Sequence, residues 1–137
     1  MARLEITIRK LDRPLASDFD QEFAFFCRTL GFFEPIDKEK IASKIFKEII
    51  LATEQGRGIS SNDLSQKLLM SRGAITNHLN NLLAAGLVLK EGRVYKARCQ
   101  SVQLLVDELQ SDLERIFFEM RKIARDLDKE FWKESQD

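Results

Sequence analysis

The stretch that decides the fold is "ISSNDLSQKLLMSRGAITNHLNNLLAAGLV", which runs from residue 59 to residue 88. It places two serines, Ser60 and Ser71, where each can cap the start of a helix. Asp63 follows the first serine by three residues and completes a variant of the capping box. Gly86 suits the position just past the end of the second helix. The stretch therefore predicts a short helix, a tight turn and a second helix that runs to about Ala85.

The second of these helices has one apolar face and one polar face. The apolar face is predicted to hold Ile75, Leu79, Leu82 and Leu83. The polar face contains no carboxylate, and its members are Arg72, Gly73, Thr76, Asn77 and Asn80. Asparagine and threonine are poor helix formers, but arginine pairs with guanine, asparagine with adenine, and the threonine methyl with the thymine methyl. The polar face therefore predicts contact with base edges, and the alternative is a merely solvated surface.

Further elements are predicted before this stretch. Apolar residues at helical spacing predict a helix from Asp18 to Leu30. Asp37 is a good N-cap for a second helix, which ends at Gly56. Residues 4–8, "LEITI", alternate between apolar and polar and predict a short strand, and Ile59 is a candidate for a very short one.

A hairpin is predicted directly after the stretch, where "LVLK" and "RVYKA" flank a two-residue turn at Glu91-Gly92. With this hairpin, the sequence from "ISSNDL" to "AAGLV" and "LKEGRVYKA" resembles the winged helix-turn-helix transcription regulators of the MarR and ArsR type. The resemblance covers about residues 37–98 and implies a DNA-binding domain whose second helix, residues 71–85, lies in the major groove. The cysteine-rich metal-sensing motif of many ArsR-type proteins is absent, so the resemblance implies no metal site.

The last segment predicts one long helix from about Ser101 to Trp132. Its apolar residues are spaced alternately by four and three, which is the heptad pattern of a coiled coil. This helix is longer than a compact domain can cover, so the pattern predicts a homodimer; the alternative is packing on the helix from Asp18 to Leu30. The predicted dimerisation residues are Val106, Leu109, Leu113, Ile116, Met120, Ile123 and Leu127.

The fold class expected from these elements is mostly α with a small β-hairpin, that is, α+β. Residues 1–36 form an N-terminal strand and helix extension in this prediction. Residues 37–98 form the winged helix-turn-helix domain, and residues 99–137 form the long C-terminal helix.

Basic residues are concentrated in the middle of a chain that has no net charge. Residues 57–98 carry seven Lys/Arg against two Asp/Glu, whereas residues 1–56 carry nine against ten and residues 99–137 six against ten. A basic block is typical of a surface that faces DNA, although short windows also cluster charge by chance. Arg93 at the hairpin tip either enters a minor groove or is solvated, and His78 either contacts DNA or touches the hairpin. The residues expected to hold phosphates are Ser60, Lys67, Ser71, Arg93 and Lys96, and Lys90 extends the basic edge of the hairpin.

Composition and motifs exclude several other classes of protein. No apolar run approaches the roughly 18 residues of a membrane span, and the start resembles no secretion signal, so a cytoplasmic location without membrane contact is expected. Cys27 and Cys99 belong to no motif and are expected to be buried free thiols. The acidic residues Asp107, Glu108, Asp112 and Glu114 are expected on the solvated side of the last helix. Without a phosphate loop, paired metal ligands or a nucleophile–base pair, neither an enzyme nor a cofactor is predicted.

The predicted function is that of a homodimeric, sequence-specific regulator of transcription that binds double-stranded DNA. The alternative is a winged-helix module that docks a protein and does not read DNA, which the zero net charge supports. All ten phenylalanines lie outside residues 57–98. The seven between Phe19 and Phe46 form either a pocket for a small apolar effector or simply core.

Overall fold

A computed structural model of the chain describes residues 18–30 and 41–136. The strand predicted at residues 4–8 and the cap predicted at Asp37 lie outside the described residues. The chain divides into two compact units, Met1–Gln100 and Ser101–Asp137. Within the described ranges, no helix is long and apolar enough to cross a membrane.

The described part of the first unit is mostly helical, with a small sheet. Its elements in chain order are α1 (Phe19–Thr29), α2 (Ile41–Glu54), β1 (Ile59–Ser60), α3 (Ser61–Leu68), α4 (Arg72–Ala84), β2 (Val88–Glu91) and β3 (Val94–Ala97). α2 packs on β3 and α4, and α3 packs on α4. The order of a helix, a helix–turn–helix and a hairpin confirms the predicted winged helix-turn-helix architecture.

Both helix starts predicted from the serines are confirmed. The Ser60 hydroxyl caps α3 by accepting a hydrogen bond from the N–H of Asp63 at 3.1 Å. The Ser71 hydroxyl caps α4 by accepting one from the N–H of Ala74 at 3.2 Å. Gly86 follows α4 with a φ of +74°, a left-handed conformation that glycine adopts without a steric cost. Local capping signals therefore place the helix–turn–helix correctly.

The hairpin β2–β3, called the wing below, belongs to an antiparallel sheet with the strand order β1-β3-β2. The very short strand suggested at Ile59 is confirmed as part of β1, which pairs with β3. The turn is Gly92-Arg93 and not Glu91-Gly92 as predicted, because Glu91 pairs with Val94 as the last residue of β2. Gly92 has a φ of +62°, so glycine takes the first turn position, as a type II′ turn requires.

The core of the first unit is formed by α2, α3, α4 and the sheet. Thr53 links α2 to β3, since its hydroxyl accepts a hydrogen bond from the N–H of Ala97 at 2.8 Å and donates one to the carbonyl of Ile49 at 2.8 Å. The threonine thereby satisfies a backbone donor of β3 that the two-residue β1 does not reach. The largest fully buried aliphatic side chains are Ile45, Ile49, Leu64, Ile75, Leu79, Leu82 and Leu87.

Aromatic rings join α1 to α2. The ring centroid of Phe23 lies 5.8 Å from that of Phe46 and 6.5 Å from that of Phe26. Phe46 is 1% exposed, so these rings form part of the core, which was one of the two alternatives for the phenylalanine-rich region. The effector pocket stays a prediction. Cys27 and Cys99 are buried free thiols as predicted, and burial raises the pKa of the Cys27 thiol.

The second unit consists of one long helix, α5 (Val102–Ser135), capped by the Ser101 hydroxyl. The prediction that Asp112 lies on the solvated side of this helix is wrong, because Asp112 is only 7% exposed. It follows Leu105 and Leu109 at spacings of four and three, and these two leucines are also buried. The guanidinium of Arg115 donates a hydrogen bond to the Asp112 carboxylate, which stabilises its charge.

Gly58 leaves no room for a larger residue where the chain enters β1. A Cβ at this position would lie 2.7 Å from Cγ2 of Val94 and 3.1 Å from the carbonyl oxygen of Tyr95. We expect Gly58→Ala to lower the free energy of unfolding by about 1–3 kcal/mol, as overpacking does elsewhere. Gly73→Ala is the matched control, because open space surrounds Gly73 and alanine favours a helix by up to about 1 kcal/mol. Urea unfolding measures both, and equal stability of the two variants would contradict the close packing.

Candidate nucleic-acid interface

α4 presents an exposed polar face opposite a fully buried one. Ile75, Leu79 and Leu82 are each 0% exposed and hold α4 against its neighbours. The polar residues predicted to meet bases are all exposed, and they are Arg72, Gly73, Thr76, Asn77 and Asn80. α4 contains no Asp or Glu, so it has no carboxylate to repel a phosphate. The face offers a guanidinium, a hydroxyl with a methyl group, and amides, all of which match base edges in a major groove.

The start of α4 adds backbone donors beside this face. The first N–H groups of a helix have no acceptor within it, and the helix dipole makes this end attractive to anions. The Ser71 hydroxyl binds the N–H of Ala74, whereas the N–H groups of Arg72 and Gly73 are suitable for a phosphate oxygen. The open space at Gly73 allows a phosphate to approach the backbone closely.

The turn between α3 and α4 contains a residue that sequence reasoning missed. Leu69 has a φ of +55° and is 91% exposed. A left-handed backbone costs an L-residue roughly 1–2 kcal/mol, and this position usually holds glycine or asparagine. The turn is held by Met70, whose N–H donates to the Ser65 carbonyl at 3.0 Å and whose carbonyl accepts from the Ser65 hydroxyl at 2.5 Å. No sequence signal distinguishes Leu69 from the buried leucines nearby.

We expect Leu69→Gly to raise the free energy of unfolding by about 1 kcal/mol, although it removes a large side chain. The gain comes from relief of the left-handed backbone, and the greater entropy of glycine in the unfolded chain offsets part of it. Leu89→Gly is the control, because Leu89 is 48% exposed in a regular strand, where glycine destabilises. The two variants should shift the midpoint of urea unfolding in opposite directions. A loss of stability at both positions would show that the Leu69 side chain outweighs its backbone strain.

Two of the basic residues expected to hold phosphates are already paired with carboxylates. Nζ of Lys67 lies 2.7 Å from Glu48, and Nζ of Lys96 lies 2.9 Å from Glu91. The Lys96–Glu91 pair is exposed, and exposed ion pairs contribute roughly 0–1 kcal/mol, so a phosphate is able to replace Glu91 there. The Glu48 side chain is only 16% exposed, so its attraction for Lys67 is screened less by water and competes more strongly with a phosphate. The basic block is therefore less positive at these two points than the sequence indicates.

Arg72 and Arg93 are more available to a phosphate than the paired lysines. Within residues 18–30 and 41–136, neither Arg72 nor Arg93 forms an ion pair, and both side chains are exposed. Arg93 stands in the turn of the wing, as predicted. Nζ of Lys90 lies 5.6 Å from the centre of the Tyr95 ring, which holds this lysine on the wing. The wing tip and the start of α4 thus each carry one arginine without a competing carboxylate.

Ser60 and His78 are half-buried. The Ser60 hydroxyl accepts from Asp63, which leaves its own proton to donate. His78 comes directly before the buried Leu79, so it lies at the boundary of the polar face. Among the residues that the structure describes, no three His, Cys, Asp or Glu side chains are grouped closely enough to hold a metal ion.

The predicted dimerisation residues differ in exposure. Leu109 is 4% exposed and Leu113 is half-buried, whereas Val106 is 43% exposed. The residues further along α5 expose about half of their surface, and they are Ile116, Met120, Ile123 and Leu127. The heptad seam is therefore accessible at Val106 and again from Ile116 to Leu127.

A comparison with protein families matches the model described as winged helix-turn-helix DNA-binding, over residues 44–88. The matched segment contains most of α2, all of β1, α3 and α4, and the first residue of β2. No match was found among curated proteins or among solved structures. The match and the fold agree on the segment that contains the polar face of α4. This segment is therefore similar to winged helix-turn-helix DNA-binding domains, and the similarity supports a DNA-binding regulator.

Proposed function

We propose that the protein is a sequence-specific regulator of transcription that binds double-stranded DNA as a homodimer. In this proposal α4 lies in the major groove, and Gly73 lets the DNA backbone come close. The residues that read bases are Arg72, Thr76, Asn77 and Asn80. The resemblance of residues 37–98 to regulators of the MarR and ArsR type supports the regulatory role, and the matched segment supports DNA as the partner.

The composition of the exposed face of α4 carries this proposal. A face that meets only water is usually built from Glu, Lys and Arg, which are good helix formers. Here the exposed Thr76, Asn77 and Asn80 weaken the helix instead. Contacts with base edges would compensate for this cost, since amide groups pair well with adenine.

Phosphate contacts are proposed on both sides of this face. Ser71 and the start of α4 would hold one phosphate, while Ser60 and Lys67 of the preceding helix would hold the next. On the wing, Lys90, Arg93 and Lys96 would follow the backbone or reach the minor groove. Such contacts position the protein, whereas the residues of α4 would provide its specificity.

Duplex binding as a function of salt tests the proposal. The logarithm of the binding constant should fall linearly with the logarithm of the salt concentration, with a slope of about 0.9 for each phosphate neutralised. Arg93→Ala should reduce the slope by about 1 per half-site if the arginine holds a phosphate. Selection of duplexes from a random pool should then return two related half-sites in a two-fold arrangement. No duplex binding even at low salt would contradict the proposal and favour a module that docks a protein.

The homodimer is tested on α5. Met120 is 54% exposed on the heptad seam, and Met120→Glu would place a charge in an apolar interface. We expect this variant to weaken the dimer by at least about tenfold, which is roughly 1.4 kcal/mol. Phe118→Glu is the matched control, because Phe118 is 55% exposed but lies off the seam, with Nζ of Lys122 4.7 Å from its ring centre. Light scattering over a dilution series measures both, and a monomeric wild-type chain would contradict the dimer.

A further inference from the structure

We propose that two copies of the chain pair through α5 in antiparallel orientation, with Ala124 beside the two-fold axis. The inference rests on the homodimer of the proposed function and specifies how its two helices meet. It concerns one exposed apolar face of α5 between residues 116 and 131, called the apolar stripe below. The large side chains of the stripe are 48–66% exposed, and they are Ile116, Phe117, Met120, Ile123, Leu127 and Phe131.

Four of the six large residues of the apolar stripe are placed symmetrically about Ala124. Phe117 lies seven residues before Ala124 and Phe131 seven residues after it, while Met120 lies four before and Leu127 three after. In a two-fold interface, a residue that contacts a second residue of the partner is matched by the reverse contact. Antiparallel helices that cross at Ala124 therefore place Phe117 against the partner's Phe131, twice. The small alanine at the centre allows the backbones to approach closely.

Charges beside the stripe follow the same symmetry. Arg121 lies three residues before Ala124 and Asp128 four residues after it, so the two lie on one side of the helix. Both are exposed, and neither forms an ion pair within the part of the chain that the structure describes. Antiparallel pairing brings Arg121 next to the partner's Asp128, and symmetry repeats the pair. Opposite charges at the rim of an interface fix its register and orientation.

A parallel pair is less favourable in its charges and in its dipoles. In a parallel pair, residues at similar heights on opposite sides of the helix would meet. Asp128 would approach the partner's Asp126, while Arg121 would approach the partner's Glu119, which Lys122 already pairs. The helix dipoles would also lie side by side with like ends together. The antiparallel pair also contains a like-charge encounter, because Glu119 lies five residues before Ala124 and the partner's Glu130 six residues after it. Nζ of Lys122 lies 3.5 Å from the Glu119 carboxylate and Nζ of Lys133 lies 3.4 Å from the Glu130 carboxylate, which reduces this repulsion. The charges therefore favour the antiparallel orientation.

Cross-linking of the full-length chain tests the orientation. Arg121→Cys and Asp128→Cys proteins are mixed, allowed to exchange subunits, and treated with a short bismaleimide. In the antiparallel dimer the two introduced thiols lie side by side, whereas in a parallel dimer they are about 10 Å apart along the axis and on opposite sides. We expect the linked heterodimer to exceed either self-linked product several-fold. Wild-type protein is the first control, since Cys27 and Cys99 are buried.

A second control uses Lys122→Cys mixed with Asp128→Cys, because Lys122 is exposed on the side of α5 away from the stripe. This mixture should give little linked heterodimer. Equal linking in both mixtures, or a monomeric chain, would overturn the antiparallel pairing. Duplex binding is measured on the same samples, because the two proposals fail separately. If the expected linked dimer forms but does not bind duplex DNA, only the proposed DNA binding is contradicted. If the protein binds duplex DNA but the expected link does not form, only the antiparallel orientation is contradicted.

Discussion

Replacing Arg72 and Asn77 by alanine is expected to abolish the discrimination between a selected duplex and an unrelated one, with the fold intact. Each good bidentate contact with a base contributes about 1–3 kcal/mol of discrimination, so each single substitution should weaken binding to the selected duplex by roughly 5- to 150-fold. Both side chains are exposed. Alanine also favours a helix more than asparagine does, so the melting temperature should not fall.

Two matched variants separate base reading from general effects. Arg125→Ala removes one positive charge from an exposed position on α5, and Asn81→Ala removes one exposed amide from α4 itself. Both should keep the preference for the selected duplex. Fluorescence anisotropy at several salt concentrations measures the affinities for both duplexes. If the doubly substituted protein still tells the two duplexes apart, the specificity lies outside this face of α4.

Phe46→Ala is expected to cause the largest loss of stability. Phe46 is 1% exposed on α2, and its ring centroid lies 5.8 Å from that of Phe23. Truncation of a buried phenylalanine costs about 3–5 kcal/mol, because transfer energy is lost and a cavity remains. A domain of this size is stabilised by only about 5–15 kcal/mol, so a large part of its stability should disappear.

The control for this substitution is Phe19→Ala, which removes the same atoms from a position that is 66% exposed on α1. Its cost should stay below about 1 kcal/mol, because surface substitutions rarely exceed this. Urea unfolding followed by circular dichroism measures both variants. Similar midpoints for the two would mean that α1 and α2 do not share a packed core in solution.

The helix–turn–helix was predictable because its signals are local. The serine caps of α3 and α4 depend on residues within three positions, and the glycine after α4 depends on one backbone angle. The buried face of α4 was equally readable, since Ile75, Leu79 and Leu82 repeat at helical spacing. The exposed polar face of α4 could then be predicted as the side opposite these apolar residues.

Features that depend on neighbours distant in sequence were not predictable. The pairing of Lys67 with Glu48 joins two helices, so the basic block seemed more positive than it is. Asp112 was predicted to be solvated because an acidic residue is rarely buried. In the structure it lies on the same buried side of α5 as Leu105 and Leu109, and Arg115 donates a hydrogen bond to its carboxylate. The left-handed Leu69 had no signal at all, because leucine seldom adopts this backbone conformation.

Ser60 belongs to two elements at once, since it pairs with Val94 at the end of β1 and caps the start of α3. One residue therefore connects the sheet of the wing directly to the first helix of the helix–turn–helix. The Gly92-Arg93 turn lies beyond this connection. Residues inserted in that turn would lengthen the wing but leave its angle to α3 unchanged. The length of the wing can thus be changed by redesigning its turn, without redesigning the rest of the domain.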